Sequence, residues 1–249
     1  IIIVELSSFQ LEDAQKFRAP ISAILNITPD HLDYHETMER YIAAKKKILL
    51  NQKNNDWAVL NWDDPRVRVL AAEAGGKILP FSRKELLSPG VYLRDGALYL
   101  DLQTGANPSP RMICRETEIG IPGAHNLENA LAATAISAAG GVAVPNIARA
   151  LKIFSGVPHR LEKVTIIQGV IFINDSKGTN PDASLQALRA VRGPKVLIAG
   201  GLHKGGSIQP FMQALAPHEV KKIILLGQAA PFFAAQAREA GFSESVIVH

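Results

Sequence analysis

The chain's 249 residues are 47% hydrophobic and 20% charged, enough to bury a core in one large domain or two modest ones. No apolar run nears the roughly 18 residues of a membrane helix, Gly and Pro are too few for a fibrous or low-complexity chain, and the lone Cys114 allows neither an internal disulfide nor a Cys-rich metal site. The 27 Lys+Arg against 23 Asp+Glu suit an anionic ligand such as a nucleotide.

Outside Lys45-Lys46-Lys47 the cations are scattered with few aromatics among them, so neither a nucleic acid nor a membrane partner is read from them. With no charged-then-apolar leader and one cysteine, the expected setting is cytoplasmic.

Ile1-Ile2-Ile3-Val4 opens as a buried strand and Ser245-Val246-Ile247-Val248-His249 closes as one just beginning, so both ends read as cut inside core strands. Strands are expected over 1–6, 21–27, 57–61 and 77–81, with helices over 36–51 and 65–74. This alternation signals an α/β fold with a mostly parallel, helix-covered sheet. Asp95-Gly96 between two strand-like runs predicts a hairpin, and with 111–119 it adds a small antiparallel patch. Helices follow over 126–139 and 145–154. Ser155-Gly156-Val157-Pro158 reads as a linker between domains spanning 1–156 and 157–249. Beyond it, strands are expected over 164–167, 170–174, 196–199 and 223–226, with helices from Pro181, near 208–215 and from Ala230.

In parallel sheets, ligands bind beyond the carboxyl ends of the strands, and three polar clusters fall there. Glu5 closes the first strand and can offer Mg²⁺ a hard oxygen; the plain alternative is a helix entry capped by Ser8. His31 and His35 have the spacing of a helical zinc pair, but the glutamate of the metalloprotease motif is missing, so one histidine at a metal site, or simple capping by Asp30 and Asp33, is favoured. In Asn174-Asp175-Ser176-Lys177-Gly178-Thr179-Asn180-Pro181, Asn180 and Pro181 suit the start of a helix, with Lys177 and Thr179 beside its positive end. Two weaker runs are Gly200-Gly201-Leu202-His203-Lys204-Gly205-Gly206-Ser207 and Gly123-Ala124-His125-Asn126, where Asn126 is equally a helix cap. Neither G-x-x-x-x-G-K-[ST] nor G-x-G-x-x-G occurs in these residues.

Taken together, these runs resemble the Mur ligase family, most closely its D-glutamate-adding branch. They are Glu5-Leu6-Ser7-Ser8-Phe9-Gln10-Leu11-Glu12, Thr28-Pro29-Asp30-His31-Leu32-Asp33, Ala43-Ala44-Lys45, Pro122-Gly123-Ala124-His125-Asn126, Pro158-His159-Arg160, Asn174-Asp175-Ser176-Lys177 and Gly200-Gly201. They come in family order and cover nearly the whole chain. The resemblance implies a central ATP-binding domain lacking its phosphate loop, joined to a Rossmann-like domain lacking its end.

It also implies a ligase of peptidoglycan synthesis that uses ATP and two Mg²⁺ ions to join D-glutamate to UDP-N-acetylmuramoyl-L-alanine through an acyl phosphate, acting as a monomer. By resemblance Glu5 and His31 hold Mg²⁺, and Lys45 is the lysine carbamylated by CO₂, with the charges of Lys46 and Lys47 favouring its deprotonation. Asn126, Arg160 and Asp175 are implied at the nucleotide base, phosphate and ribose. Lys177, Thr179 and Lys204 are implied at the carboxylates of D-glutamate. The chain by itself is expected to be inactive and to bind ATP poorly. Other Mur-type ligases, folylpolyglutamate synthases and a non-catalytic nucleotide-binding protein are the alternatives.

Overall fold

Aliphatic and β-branched runs become strands here only where a neighbouring run can take up their backbone hydrogen bonds. The computed structural model describes residues 1–103, 109–121, 123–203 and 207–248. Contacts divide the chain into two units, Ile1–Thr28 with His35–Ser155, and Pro29–Tyr34 with Gly156–His249.

The first unit opens with a short helix α1 (Ser8–Glu12) and strand β1 (Ile21–Ile24). Past the one-turn helix α2 (Leu32–His35), helix α3 (Met38–Lys46) continues as a tight turn through Leu49. Strand β2 (Trp57–Asn61), helix α4 (Pro65–Arg68) and strand β3 (Lys77–Ser82) complete the parallel part. Strands β4 (Gly90–Arg94), β5 (Ala97–Asp101) and β6 (Arg111–Arg115) extend the sheet in the order β1-β2-β3-β4-β5-β6. Pairing is parallel up to β4 and antiparallel beyond it. The hairpin turns on Asp95 and Gly96, both at positive φ, as that dipeptide predicts.

Helices α5 (Ala124–Ala139) and α6 (Val144–Ile153) follow. Leu127, Ala130, Leu131 and Ala135 make the buried stripe of α5, packed in one core with Val59, Leu79, Phe81 and Leu98. A second core joins Ala58 and Leu60 to Ile24, Tyr41, Leu49 and Leu70. Successive β2 residues thus serve opposite faces of the sheet, which explains an unbroken apolar run.

The expected strand over 1–6 does not form. Ile1–Val4 are exposed and pair with no strand among the described residues; an aliphatic run gains nothing from extended geometry without a hydrogen-bonded neighbour. Glu5 therefore lies on exposed chain rather than at a strand's carboxyl end. Ser7, not Ser8, caps α1, in a reciprocal capping box with Gln10.

The second unit contains strands β7 (Glu162–Ile167) and β8 (Val170–Asn174), a hairpin of its own, and helix α7 (Pro181–Ala190). Then come β9 (Lys195–Gly200), α8 (Gln209–Gln213), β10 (Val220–Leu226), α9 (Ala230–Glu239) and β11 (Ser245–Val248). The last three strands form a parallel sheet in the order β11-β10-β9. Its core holds Leu185, Leu188, Met212, Leu215, Ile223, Leu225 and Ala234. Asn180 caps α7 through Ala183 N–H at 2.8 Å, and Pro181 opens it, both as their types predict. No helix among the described residues is long and apolar enough to cross a membrane.

Candidate functional site

Lys45 stands in the last turn of α3, which Thr37 caps through Arg40 N–H at 3.3 Å. Its Nζ lies 5.1 Å from the centre of the Tyr41 ring, one turn earlier, within range of a cation–π contact. Tyr41 is buried against the His35 ring, with centroids 5.3 Å apart. His35 stacks on Phe9 at 5.5 Å, and its Nε2 is 2.9 Å from the buried Ser8 Oγ. A continuous set of packed side chains therefore runs from α1 through His35 to the helix that carries Lys45.

The helical zinc pair, already disfavoured by the missing glutamate, is not formed. Helix α2 begins at Leu32, so His31 lies outside it, at φ 52°, and the i, i+4 geometry is never made. His35 uses its ring faces and one nitrogen in the core. His31 is partly exposed, with Nε2 3.7 Å from Asp30 Oδ2. Lys46 and Lys47, next to Lys45, make contacts of their own. Lys46 pairs with Glu73 at 2.6 Å, and Lys47 donates to the Glu12 carbonyl. Consecutive helical side chains point roughly 100° apart, and of these two charges only that of Lys46 meets a carboxylate among the described residues.

At the carboxyl ends of β2 and β3 is a polar cluster that the sequence reading missed. Asn61 Nδ2 donates to the Leu25 carbonyl at 2.8 Å, and Asp64 Oδ2 accepts Ile27 N–H at 2.8 Å. Asp64 Oδ1 meanwhile caps α4 through Arg66 N–H at 2.8 Å. Asp63 accepts from Ser82 Oγ at 2.5 Å and from Arg83 N–H at 2.8 Å. Asn61 and Asp64 hold the segment leading to Thr28 in place and Asp63 fixes the end of β3; the paired acids in Asn61-Trp62-Asp63-Asp64 were the available signal. Asn126 is buried in the first turn of α5, and Gly123 takes the cap position, so the capping alternative for Asn126 does not hold. Asn126 Oδ1 accepts Asn129 Nδ2–H at 3.4 Å.

In the second unit two loops are laced together. Leu161 N–H donates to Asp175 Oδ1 at 2.9 Å, and Lys177 N–H donates to the His159 carbonyl at 3.0 Å. These bonds bring the backbone bearing Arg160 beside the backbone bearing Asp175 and Lys177; the Arg160 and Lys177 side chains are exposed. Gly178 N–H returns to the Asp175 carbonyl at 2.8 Å, and a Cβ at Gly178 would sit 2.7 Å from Asp175 Oδ2. Thr179, also exposed, immediately precedes the Asn180 cap. The backbone thus carries Arg160, Lys177 and Thr179 on loops joined through the Asp175 carboxylate, residue types that suit an anionic, hydroxyl-bearing ligand.

Gly200 has a packing reason of its own. A Cβ there would meet the Leu226 carbonyl at 1.9 Å, so the β9 and β10 ends could not approach as they do. Lys204 and Pro122 lie outside the described residues.

Among the described residues no three His, Cys, Asp or Glu side chains gather into a metal cage. Mg²⁺ needs none: it takes one or two protein oxygens and completes its shell with phosphate and water. The Glu5 carboxylate is a hard-oxygen donor of that kind.

Residues 1–137 match the Mur ligase middle domain, and residues 159–249 match the Mur ligase, glutamate ligase domain. The UDP-N-acetylmuramoylalanine--D-glutamate ligase of Thermoanaerobacter sp. (strain X514) is 47% identical over 247 residues, which is 99% of this chain and 53% of that protein. The chain thus spans about half the length of the curated relatives it matches. Among solved structures, MurF from Acinetobacter baumannii has a TM-score of 0.65 at 24% identity, covering 92% of this chain and 50% of that one. MurF ligase from Thermotoga maritima, solved in complex with ADP, has a TM-score of 0.61 at 18% identity, covering 92% and 52%. At these identities the two structures speak for the fold alone.

Proposed function

The chain belongs to the Mur ligase family, and on that premise we propose that it carries the ATP and amino-acid chemistry of an amide ligase joining D-glutamate to UDP-N-acetylmuramoyl-L-alanine in peptidoglycan synthesis. The observation that carries this is 47% identity, over 99% of the chain, to a ligase of that name. In this reading residues 1–156 are the ATP-binding domain and 157–249 the amino-acid-binding domain. The family resemblance also supports a cytoplasmic monomer.

ATP would supply the phosphoryl group that activates the substrate carboxylate, and two Mg²⁺ ions, when bound, would supply charge neutralisation for the crowded phosphate oxygens. Glu5, His31 and a carbamylated Lys45 are the residues that would hold the metal. As an ammonium Lys45 rests on the Tyr41 ring; as a carbamate it becomes an anion able to face a cation. Asn126 takes the base, Arg160 the phosphates and Asp175 the ribose. Lys177, Thr179 and Lys204 orient the carboxylates of D-glutamate so that its amine meets the activated carbonyl. The lacing of the Arg160 loop to the Asp175–Lys177 loop supports placing phosphate and carboxylate contacts side by side.

The test uses a chimera in which residues 1–249 replace the matching stretch of the Thermoanaerobacter ligase. The substrate carboxylate carries oxygen-18. Activation by phosphoryl transfer sends one labelled oxygen into the released phosphate; unlabelled phosphate alongside amide product would reject the acyl-phosphate route.

A further inference from the structure

The bonds lacing the Arg160 loop to the Lys177 loop include one whose direction can be worked out from its neighbours. Asn174 Nδ2 is 2.8 Å from His159 Nδ1. The other end of the amide is committed, because Asn174 Oδ1 accepts Ser176 N–H at 3.0 Å in an Asx turn. The amide therefore presents its NH₂ to the imidazole, and His159 Nδ1 has to be the acceptor. One group competes. Glu162 Oε2 lies 3.6 Å from the same Nδ1, but that is beyond hydrogen-bond reach, and this oxygen already accepts His159 N–H at 2.7 Å. The shorter contact decides the outcome, and the ring proton goes to Nε2.

We propose that Asn174 is a positioning residue that locks His159 in its Nε2–H tautomer and thereby fixes the loop carrying Arg160 against the loop carrying Lys177. The His159 carbonyl accepts Lys177 N–H at 3.0 Å, so the residue gripped through its ring also anchors the lysine's backbone. His159 is joined directly to Arg160 in the chain. One asparagine thus acts on both ligand-facing cations without touching a ligand. It also leaves the His159 Nε2–H as a neutral donor beside Arg160. The value of this spacing for ligation rests on the roles proposed above for Arg160 and Lys177; the tautomer does not.

The experiment is long-range proton–nitrogen NMR of the 249-residue chain, at a pH about two units above the usual histidine value of roughly 6.5. His159 is expected with its proton on Nε2. Asn174→Asp keeps the acceptor for Ser176 N–H but turns the donor facing the ring into an acceptor, so the proton should move to Nδ1. In Asn174→Ala the Lys177 and Leu161 amides should exchange faster, while Ala183 N–H, capped by Asn180, keeps its protection and reports that α7 is intact. A dominant Nδ1–H form in the unaltered chain, or an unchanged tautomer in Asn174→Asp, overturns the proposal. Failure of the chimera to ligate would instead count against the functional reading and leave the tautomer result standing.

Discussion

Leu161 donates its backbone N–H to Asp175 Oδ1 at 2.9 Å, so the carboxylate proposed at the nucleotide is also a strut of the loop that carries Arg160. The two duties separate by substitution. Asp175→Asn keeps an acceptor for Leu161 and should cost under about 0.5 kcal/mol in urea unfolding of the chain, whereas Asp175→Ala should cost about 1 kcal/mol. In the chimera both should lose most nucleotide binding. Gly178→Ala should weaken that binding as well, because its Cβ would crowd Asp175 Oδ2 at 2.7 Å. Equal stability of the Asn and Ala variants would show that the strut carries nothing.

A second expectation concerns His35, which touches Phe9, Ser8 and Tyr41. Removing its buried ring leaves a cavity and an unpaired Ser8 hydroxyl, together costing about 3 kcal/mol. His35→Ala should therefore lower the denaturant midpoint of the first unit and shift the Lys45 side-chain resonances, while leaving those of α7 unchanged. A midpoint unchanged by the substitution would remove His35 from the support of α3.

Local chemistry announced much of this architecture. The apolar runs of β2 and β3, the Asp95-Gly96 turn and the Asn180-Pro181 helix start are decided within a few residues, and the structure has all of them. Ile1–Val4 failed because strand formation depends on a neighbour, which periodicity cannot supply. The packing role of His35 was not legible because its partners Ser8 and Phe9 lie far back in sequence. Lys46 likewise meets Glu73, which no spacing rule connects to it. The roles proposed for Lys45, Asn126 and Arg160 rest on family resemblance, since a lysine run, a first-turn asparagine and an exposed arginine are each ordinary by themselves.

Acid stability offers a third test. Arg18 donates to both oxygens of Asp56, at 2.6 and 2.7 Å, and Lys53 N–H adds a third bond at 2.7 Å. These bonds, Arg18 first, hold the Asp56 carboxyl below the usual carboxylate range. A depressed folded value means the stabilisation is complete above the unfolded value, about 4, and is lost as pH falls through the folded one. Unfolding free energy should therefore drop as the pH is taken below about 4. Asp56→Asn should be less stable at neutral pH yet flatter across that acid window. Parallel pH profiles for the two proteins would contradict the pairing.

Lys45 gives a sharper chemical test. In the chimera, Lys45→Arg keeps the positive charge, but a guanidinium cannot carry a carbamate, so turnover should fall by at least about 100-fold. Added bicarbonate should not rescue it. Near-normal turnover would reduce Lys45 to a helix-surface cation resting on Tyr41.

The most direct measurement of the central claim is phosphate release by the chimera, supplied with ATP, Mg²⁺ and UDP-N-acetylmuramoyl-L-alanine, against a panel of amino acids. Release should depend on D-glutamate and be matched one-for-one by amide product. Release driven equally well by L-alanine, a diamino acid or no amino acid at all, from a chimera shown to be folded, would contradict it.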